Sequence, residues 1–258
     1  MRDVRLICVD TDKARRLPQE LEGEWKMRIK SFHLGVAILD TRDLRDVIQN
    51  RFKLDNLSDL IRTYQFAVQD SVPGVERFCF GDTEAISVED LRRRFVEWRE
   101  GRDVIGVAYS APGDLAVLKE FKISLNEICW IDLAQAQYIP LQNATAPSLA
   151  VVMNRLRIRY AGKLHVPGND AHFAMRVFLG MAVLDFWCEW SHWGNGLSDI
   201  PPWHELMITN HDEDDAVTTL VMTAHQDRLG IVLKTGLTTR ANTRLAGKLA
   251  KERMNEDQ

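Results

Sequence analysis

The stretch VRLICVDTD, residues Val4 to Asp12, decides how the rest of the chain is read. A short apolar run that stops on acids suits a buried strand whose carboxyl end opens at a sheet edge. Residues two apart on a strand project to one face, so Asp10 and Asp12 can address a common ligand. Taken alone, the pair reads first as an ordinary acidic strand end and loop start.

Outward from this strand, a charged loop holding Glu20, Glu22 and Glu24 is expected, then a second strand from Phe32 to Asp40. Phe66 to Val68 and Phe78 to Phe80 are weaker strand candidates on either side of Pro73-Gly74. The plainest helix is Ser87 to Glu100. Ser87 can cap it and Asp90 completes a capping box, Leu91, Phe95 and Trp98 share a face, and Gly101 follows the end. A strand (Val104 to Tyr109), a Pro-Gly turn, a short helix (Leu115 to Phe121) and another strand (Ile128 to Ile131) come next. Pro147 and Ser148 open a helix reaching about Ile158, and a long helix runs from about Asn169 into the 180s. Strands first, then alternating helix and strand, then helices, predict an α/β domain with a mixed sheet.

That domain is expected over residues 1–184. Residues 185–258 read as a C-terminal extension packed on it, containing Trp187, Trp190, Trp193 and Trp203, an acidic HDEDD run and a basic helical tail. The 258 residues are 45% apolar with 33 basic and 37 acidic side chains, which excludes disorder and a histone-like nucleic-acid coat. The most apolar run, Phe173 to Cys188, is broken by Arg176 and Asp185, so no membrane span is expected. The start lacks a signal-peptide core, which implies a cytoplasmic product, with the nucleus as the alternative. Cys8, Cys79, Cys129 and Cys188 lack CxxC spacing and read as reduced core residues. The basic residues are 23 Arg and 10 Lys; arginine serves bidentate phosphate contacts and structural ion pairs alike.

Two further places carry chemistry. Asp114 follows the third clear strand and starts a short helix, where a first-turn acid is also a routine dipole partner. His165 and Asp170 lie in LHVPGNDA, with the imidazole in a loop stiffened by Pro167 and the carboxylate in the first turn of the long helix. Each place by itself is better read as structural than as functional.

Together they make the order Asp, acid, Asp, His, Asp, which resembles the DEDDh group of 3′→5′ exonucleases and their ribonuclease-H-like fold. The segments FHLGVAILDTRDL (32–44), RFCFGDTEAIS (77–87) and LHVPGNDAHFAM (164–175) carry the likeness further, toward a fungal branch. That branch includes the Argonaute-interacting exonuclease of RNA silencing and relatives of an mRNA-export suppressor. The resemblance spans about residues 4–184. It implies a two-metal phosphodiesterase in which Asp10, Asp12, Asp114 and Asp170 hold two Mg²⁺ or Mn²⁺ ions about 4 Å apart. His165 then serves as general base. Oxygen-only ligands favour these hard ions over zinc. The implied substrate is single-stranded nucleic acid, RNA in preference, with a silencing or RNA-export protein as a further partner.

Three positions depart from the family pattern. Asp12 stands where the family has Glu, which draws the carboxylate back by about 1.5 Å. Ala108, Tyr109 and Ser110 replace a usual Gly-His-Asn, and Val166-Pro167 replaces Asn-Ala after the histidine. These changes open a second expectation, a weak or inactive pseudo-nuclease that binds RNA or protein. Trp193-Gly194 resembles an Argonaute-binding hook, though core packing is the default for the tryptophans. Arg92 to Arg94 and the stripe Arg240, Arg244, Lys248 and Lys251 are the candidate phosphate contacts, with ion pairing and solvation as their defaults.

Overall fold

The computed structural model describes residues 3–21, 24–44, 60–73, 77–137, 145–160 and 162–192. Six strands form one sheet: β1 (Val4–Leu21), β2 (Glu24–Asp40), β3 (Arg62–Val68), β4 (Thr83–Ile86), β5 (Asp103–Ala108) and β6 (Cys129–Asp132), in the order β4-β3-β2-β1-β5-β6. β2 runs antiparallel to β1 and β3, while β5 pairs parallel with β1, β6 with β5 and β4 with β3. A three-strand meander followed by parallel additions beside its first strand is the ribonuclease-H-like arrangement, here with β4 added outside β3. The mixed α/β sheet is therefore as expected.

Apolar alternation along β1 and β2 divides the core between the two faces. Leu6, Cys8, Ala37 and Leu39 face one layer, with Phe173, Val177 and Met181 of the long helix α5 (Pro167–His192) and Val152 and Met153 of α4 (Leu149–Arg155). Ile7, Val9, Val36 and Ile38 face the other, with Leu91 and Phe95 of α1 (Val88–Arg99) and Val117 and Leu118 of α2 (Pro112–Glu120). Each such fully buried aliphatic or aromatic side chain stabilises the fold by about 1.5–3 kcal/mol. A further short helix, α3 (Leu133–Ala136), follows β6 with Asp132 as its cap. The Ser87 cap on α1 is present as expected: Ser87 Oγ accepts from Asp90 N at 3.1 Å and donates to the Asp90 carboxylate at 2.8 Å, a bond through the hydroxyl in place of the backbone N–H of a full capping box.

Three expectations are corrected. The charged segment around Glu20 is no loop, because β1 and β2 continue pairing out to Leu21↔Glu24 as a ribbon beyond the sheet. Polar residues pair there because both faces of the ribbon meet water, so no apolar alternation betrays it. Phe78 to Phe80 is not a strand; Phe78 and Phe80 pack against each other, and Phe80 stacks on His172 with centroids 3.7 Å apart. The fourth strand comes instead at Thr83–Ile86. Cys8 is buried, but Cys79 and Cys129 are exposed rather than core thiols.

These elements belong to one compact unit made of residues 1–142 and 146–210. A second unit, residues 143–145 and 211–258, lies outside the described residues apart from Thr145. The HDEDD run, the basic tail and Trp193, Gly194 and Trp203 also fall outside them. Among the described residues no helix is long and apolar enough to cross a membrane.

Candidate functional site

β1 and β5 are paired up to Cys8↔Val107, so Asp10 stands just beyond the level at which the parallel ladder ends. There β5 gives way to a turn through Ser110, whose left-handed φ of +63° and N–H bond to Asp132 Oδ1 (3.0 Å) redirect the chain into α2. Asp114 in the first turn of α2 is thereby carried back to β1. Its Oδ1 accepts from both Thr11 N (2.8 Å) and Thr11 Oγ1 (2.7 Å).

From the other side, Asp10 pairs across the ladder with Gly35 of β2. A Cβ on Gly35 would lie 1.9 Å from the Pro167 carbonyl oxygen, so only glycine lets the start of α5 seat on the sheet here. Gly168 N donates to Gln65 Oε1 (3.1 Å), and Gln65 Nε2 to Thr83 Oγ1 (2.6 Å). Asn169, fully buried, accepts from Cys79 N (2.9 Å) and donates to the Arg77 and Lys163 carbonyls (3.0 Å each). The GNDA segment is thus bolted to the sheet and to the loop before β4, and Asp170 follows in the first helical turn. Asp170 Oδ2 accepts from His165 N at 2.8 Å, which holds His165 at a left-handed φ of +65° with an exposed side chain.

The electrostatics tie these acids together. Burial pushes the Asp10 carboxyl well above its ordinary range, and the charges of Asp114, Asp170 and Asp12 push it the same way. Burial raises Asp114 to about 6 against its bonds from Thr11, with Asp132 adding to the rise. Asp170 is raised to about 6 by burial and by Asp12, opposed by the His165 N–H and the His165 charge. Four carboxylates from three distant parts of the chain therefore share one electrostatic neighbourhood.

Three of the four carboxylates also have one oxygen occupied by a donor, since Asp12 Oδ1 accepts from Lys13 N at 2.7 Å much as Asp114 does from Thr11 and Asp170 from His165. Among the described residues no three His, Cys, Asp or Glu side chains stand together as a finished ligand shell for one ion. Yet Asp170 Oδ1 is buried without a hydrogen-bond partner, an arrangement that is costly for a polar atom. A desolvated, mutually repelling set of oxygen donors with an orphaned oxygen fits a hard divalent cation.

The positions that depart from the expected pattern have structural uses. Tyr109 donates its hydroxyl to the Pro147 carbonyl, tethering the segment before α4. Pro167 supplies the first residue of α5, where a proline is favoured. Thr11, Gly35, Gln65 and Asn169 position the site without having been singled out. Their signal is tertiary, since nothing local distinguishes a glycine under a helix start from one in a turn.

β1, α2 and α5 thus bring Asp10, Asp12, Asp114 and Asp170 into electrostatic contact, with the His165 N–H bonded to Asp170. The sequence pattern of the family described as DNA polymerase III subunit epsilon-like, C-terminal domain (DEDDh_C) matches residues 7–181, and the chain belongs to that family. Among solved structures, S. pombe Pop2p in its Mg²⁺- and Mn²⁺-bound form is similar at 14% identity and a TM-score of 0.40, over 67% of this chain and 81% of that one. No curated protein sequence matches.

Proposed function

We propose that the chain is a metal-dependent 3′→5′ exonuclease that hydrolyses single-stranded RNA or DNA, RNA in preference, to nucleoside 5′-monophosphates. The observation that carries this reading is the shared neighbourhood of Asp10, Asp12, Asp114 and Asp170, two of them raised to about 6 with Asp170 Oδ1 unpartnered. These four residues would hold two Mg²⁺ or Mn²⁺ ions, which when bound acidify an attacking water and neutralise charge on the scissile phosphate.

His165 has an exposed imidazole beside the acids, and there it takes the proton of the attacking water as general base. The water oxygen bonds to phosphorus and the bond from phosphorus to the 3′ oxygen breaks. Asp170 fixes the histidine's backbone through the 2.8 Å bond, so one residue serves both ligand and base. Thr11 holds Asp114 against β1 through two bonds, restricting its rotamers in advance of metal binding. Residues 1–184 would carry this activity, with 185–258 as an appended extension.

A second reading has its own observation. Asp12 stands where the family has Glu, and one of its oxygens is folded back onto Lys13 N. A shortened, preoccupied carboxylate favours a weakened or silent site, and the chain would then act as an RNA- or protein-binding module in RNA silencing or RNA metabolism.

Parallel digestion of 5′-labelled and 3′-labelled single strands in Mn²⁺ tests the proposal. A 3′→5′ exonuclease releases the 3′ label at once as mononucleotide and shortens the 5′-labelled strand stepwise. Binding of the strand with both labels left intact would favour the second reading.

A further inference from the structure

The ribbon formed by the outer halves of β1 and β2 is a feature that the proposed chemistry leaves unused. β1 passes through Asp10 and Asp12, then a register shift at Lys13, whose φ is +55°, and continues as Arg15-Arg16 into the ribbon. The returning strand brings Lys26, Arg28 and Lys30 back beside them, with Arg16 opposite Ile29 and Leu17 opposite Arg28. The stem of the ribbon, residues 13–18 and 26–30, therefore holds six basic side chains and no acid, whereas in the sequence Glu20, Glu22 and Glu24 fall between its two halves. This segregation occurs in a chain whose formal net charge is −4.

The stem cations differ from Arg5, Arg102 and the arginine row on α1. Arg92 is bonded to the Phe121 carbonyl, Arg93 pairs with Asp90 at 3.0 Å, Arg94 with Glu84 at 3.2 Å, and Arg5 and Arg102 both hold Asp40. The arginine row on α1 that the sequence offered as a phosphate contact is thus committed to the fold. On the ribbon, Arg28 lies 3.7 Å from Glu120, but among the described residues no ion pair engages Lys13, Arg15, Arg16 or Lys30, and all four are exposed. Leu17 and Met27 on the same stem are 39% and 55% exposed, apolar surface suited to lie against unpaired bases.

We propose that the basic stem of the β1–β2 ribbon is a docking track for the phosphate backbone of a single-stranded polynucleotide, leading it along β1 to the carboxylates. The track is continuous with the site, because one strand carries Asp10, Asp12, Lys13, Arg15 and Arg16 in sequence. At about 3.3 Å per residue the stem reaches, at Pro18, about 20 Å from Asp12. Unpaired cations also offset a cost inherent to the site, since a cluster of carboxylates repels an approaching polyanion. The direction of approach rests on the nuclease reading; the binding of the strand does not.

The test is fluorescence anisotropy of a fluorescein-labelled 20-nucleotide single-stranded RNA with the full chain in EDTA, titrated over salt. The triple variant Arg15→Gln, Arg16→Gln, Lys30→Gln is compared with wild type. These side chains are exposed, and the melting temperature of the variant checks that the fold is kept. The variant is expected to bind about tenfold or more weakly at low salt, and to lose about 2 from the slope of log K against log salt. Equal affinity and slope in a folded variant overturns the proposal, as does failure of the wild type to bind. Release of mononucleotide in Mn²⁺ is scored separately: binding without cleavage removes the nuclease reading and leaves the track, and cleavage without dependence on the ribbon does the reverse.

Discussion

Asp170 Oδ2 accepts a 2.8 Å hydrogen bond from the backbone N–H of His165, so the proposed ligand also shapes the loop that bears the proposed base. Two substitutions separate these duties. Asp170→Asn keeps an acceptor for the His165 N–H and removes a charge that the site opposes. In EDTA its melting temperature should equal or exceed that of wild type, with nuclease activity reduced at least about a hundredfold. Asp170→Ala should melt several degrees below Asp170→Asn, because an N–H left unpaired costs about 1–3 kcal/mol. Equal melting of the two variants would contradict the role of this bond.

Proton linkage offers an independent check. Asp114 and Asp170 are both raised to about 6 and Asp10 is raised as well, so between about pH 4 and 6 the folded chain holds protons that the unfolded chain has shed. Each of these groups makes stability fall as pH rises through that window. Buried His172, lowered to about 3 by burial and then by Arg176, works in the opposite direction. Asp40 keeps its contribution across this range, since the bonds from Arg42 N, Arg5 and Arg102 outweigh the effect of its burial and lower its carboxyl. Three carboxyls outweigh one imidazole. Calorimetry in EDTA should therefore give a higher melting temperature at pH 5 than at pH 7. Mn²⁺ should raise the melting temperature more at pH 7 than at pH 5, because its ligands must be deprotonated.

Gly35→Ala tests the seating of α5. The added Cβ would meet the Pro167 carbonyl carbon at 2.0 Å, and a backbone neighbour cannot yield as a side chain can. A loss of about 1–3 kcal/mol or more is expected in urea unfolding, with lowered Mn²⁺ affinity because Asp170 rides on the displaced helix. A neutral result would mean that α5 sits less closely on β2 than this contact requires.

The fold and the acids were legible to different depths. Core strand segments such as Leu6 to Val9 announce themselves because both faces are buried and the run is continuously apolar. The ribbon beyond Asp12 was hidden because it buries little, and its pairing is set by backbone hydrogen bonds and β1–β2 register rather than by an apolar pattern. Asp10, Asp114 and Asp170 were recoverable only through their order along the chain, since local spacing cannot report that β5 ends beside Asp10. Asn169 and Gln65 show the remaining gap: they act by satisfying backbone groups of segments far away in sequence.

Asp12→Glu asks whether the shortened acid limits the site. Restoring the missing carbon–carbon bond, about 1.5 Å, should raise the rate of strand hydrolysis in Mn²⁺. A lower rate would show that the surroundings of Asp12 have adapted to the shorter side chain.

The most direct measurement is the release of mononucleotide from a 3′-labelled single-stranded RNA in Mn²⁺ by wild type and by Asp170→Asn, both verified as folded. Metal-dependent release by wild type, absent in EDTA and reduced at least about a hundredfold in the variant, is the predicted result. Release that is equal in the two proteins, or no release by a wild type that binds the strand, would contradict the claim that these carboxylates form a working nuclease site.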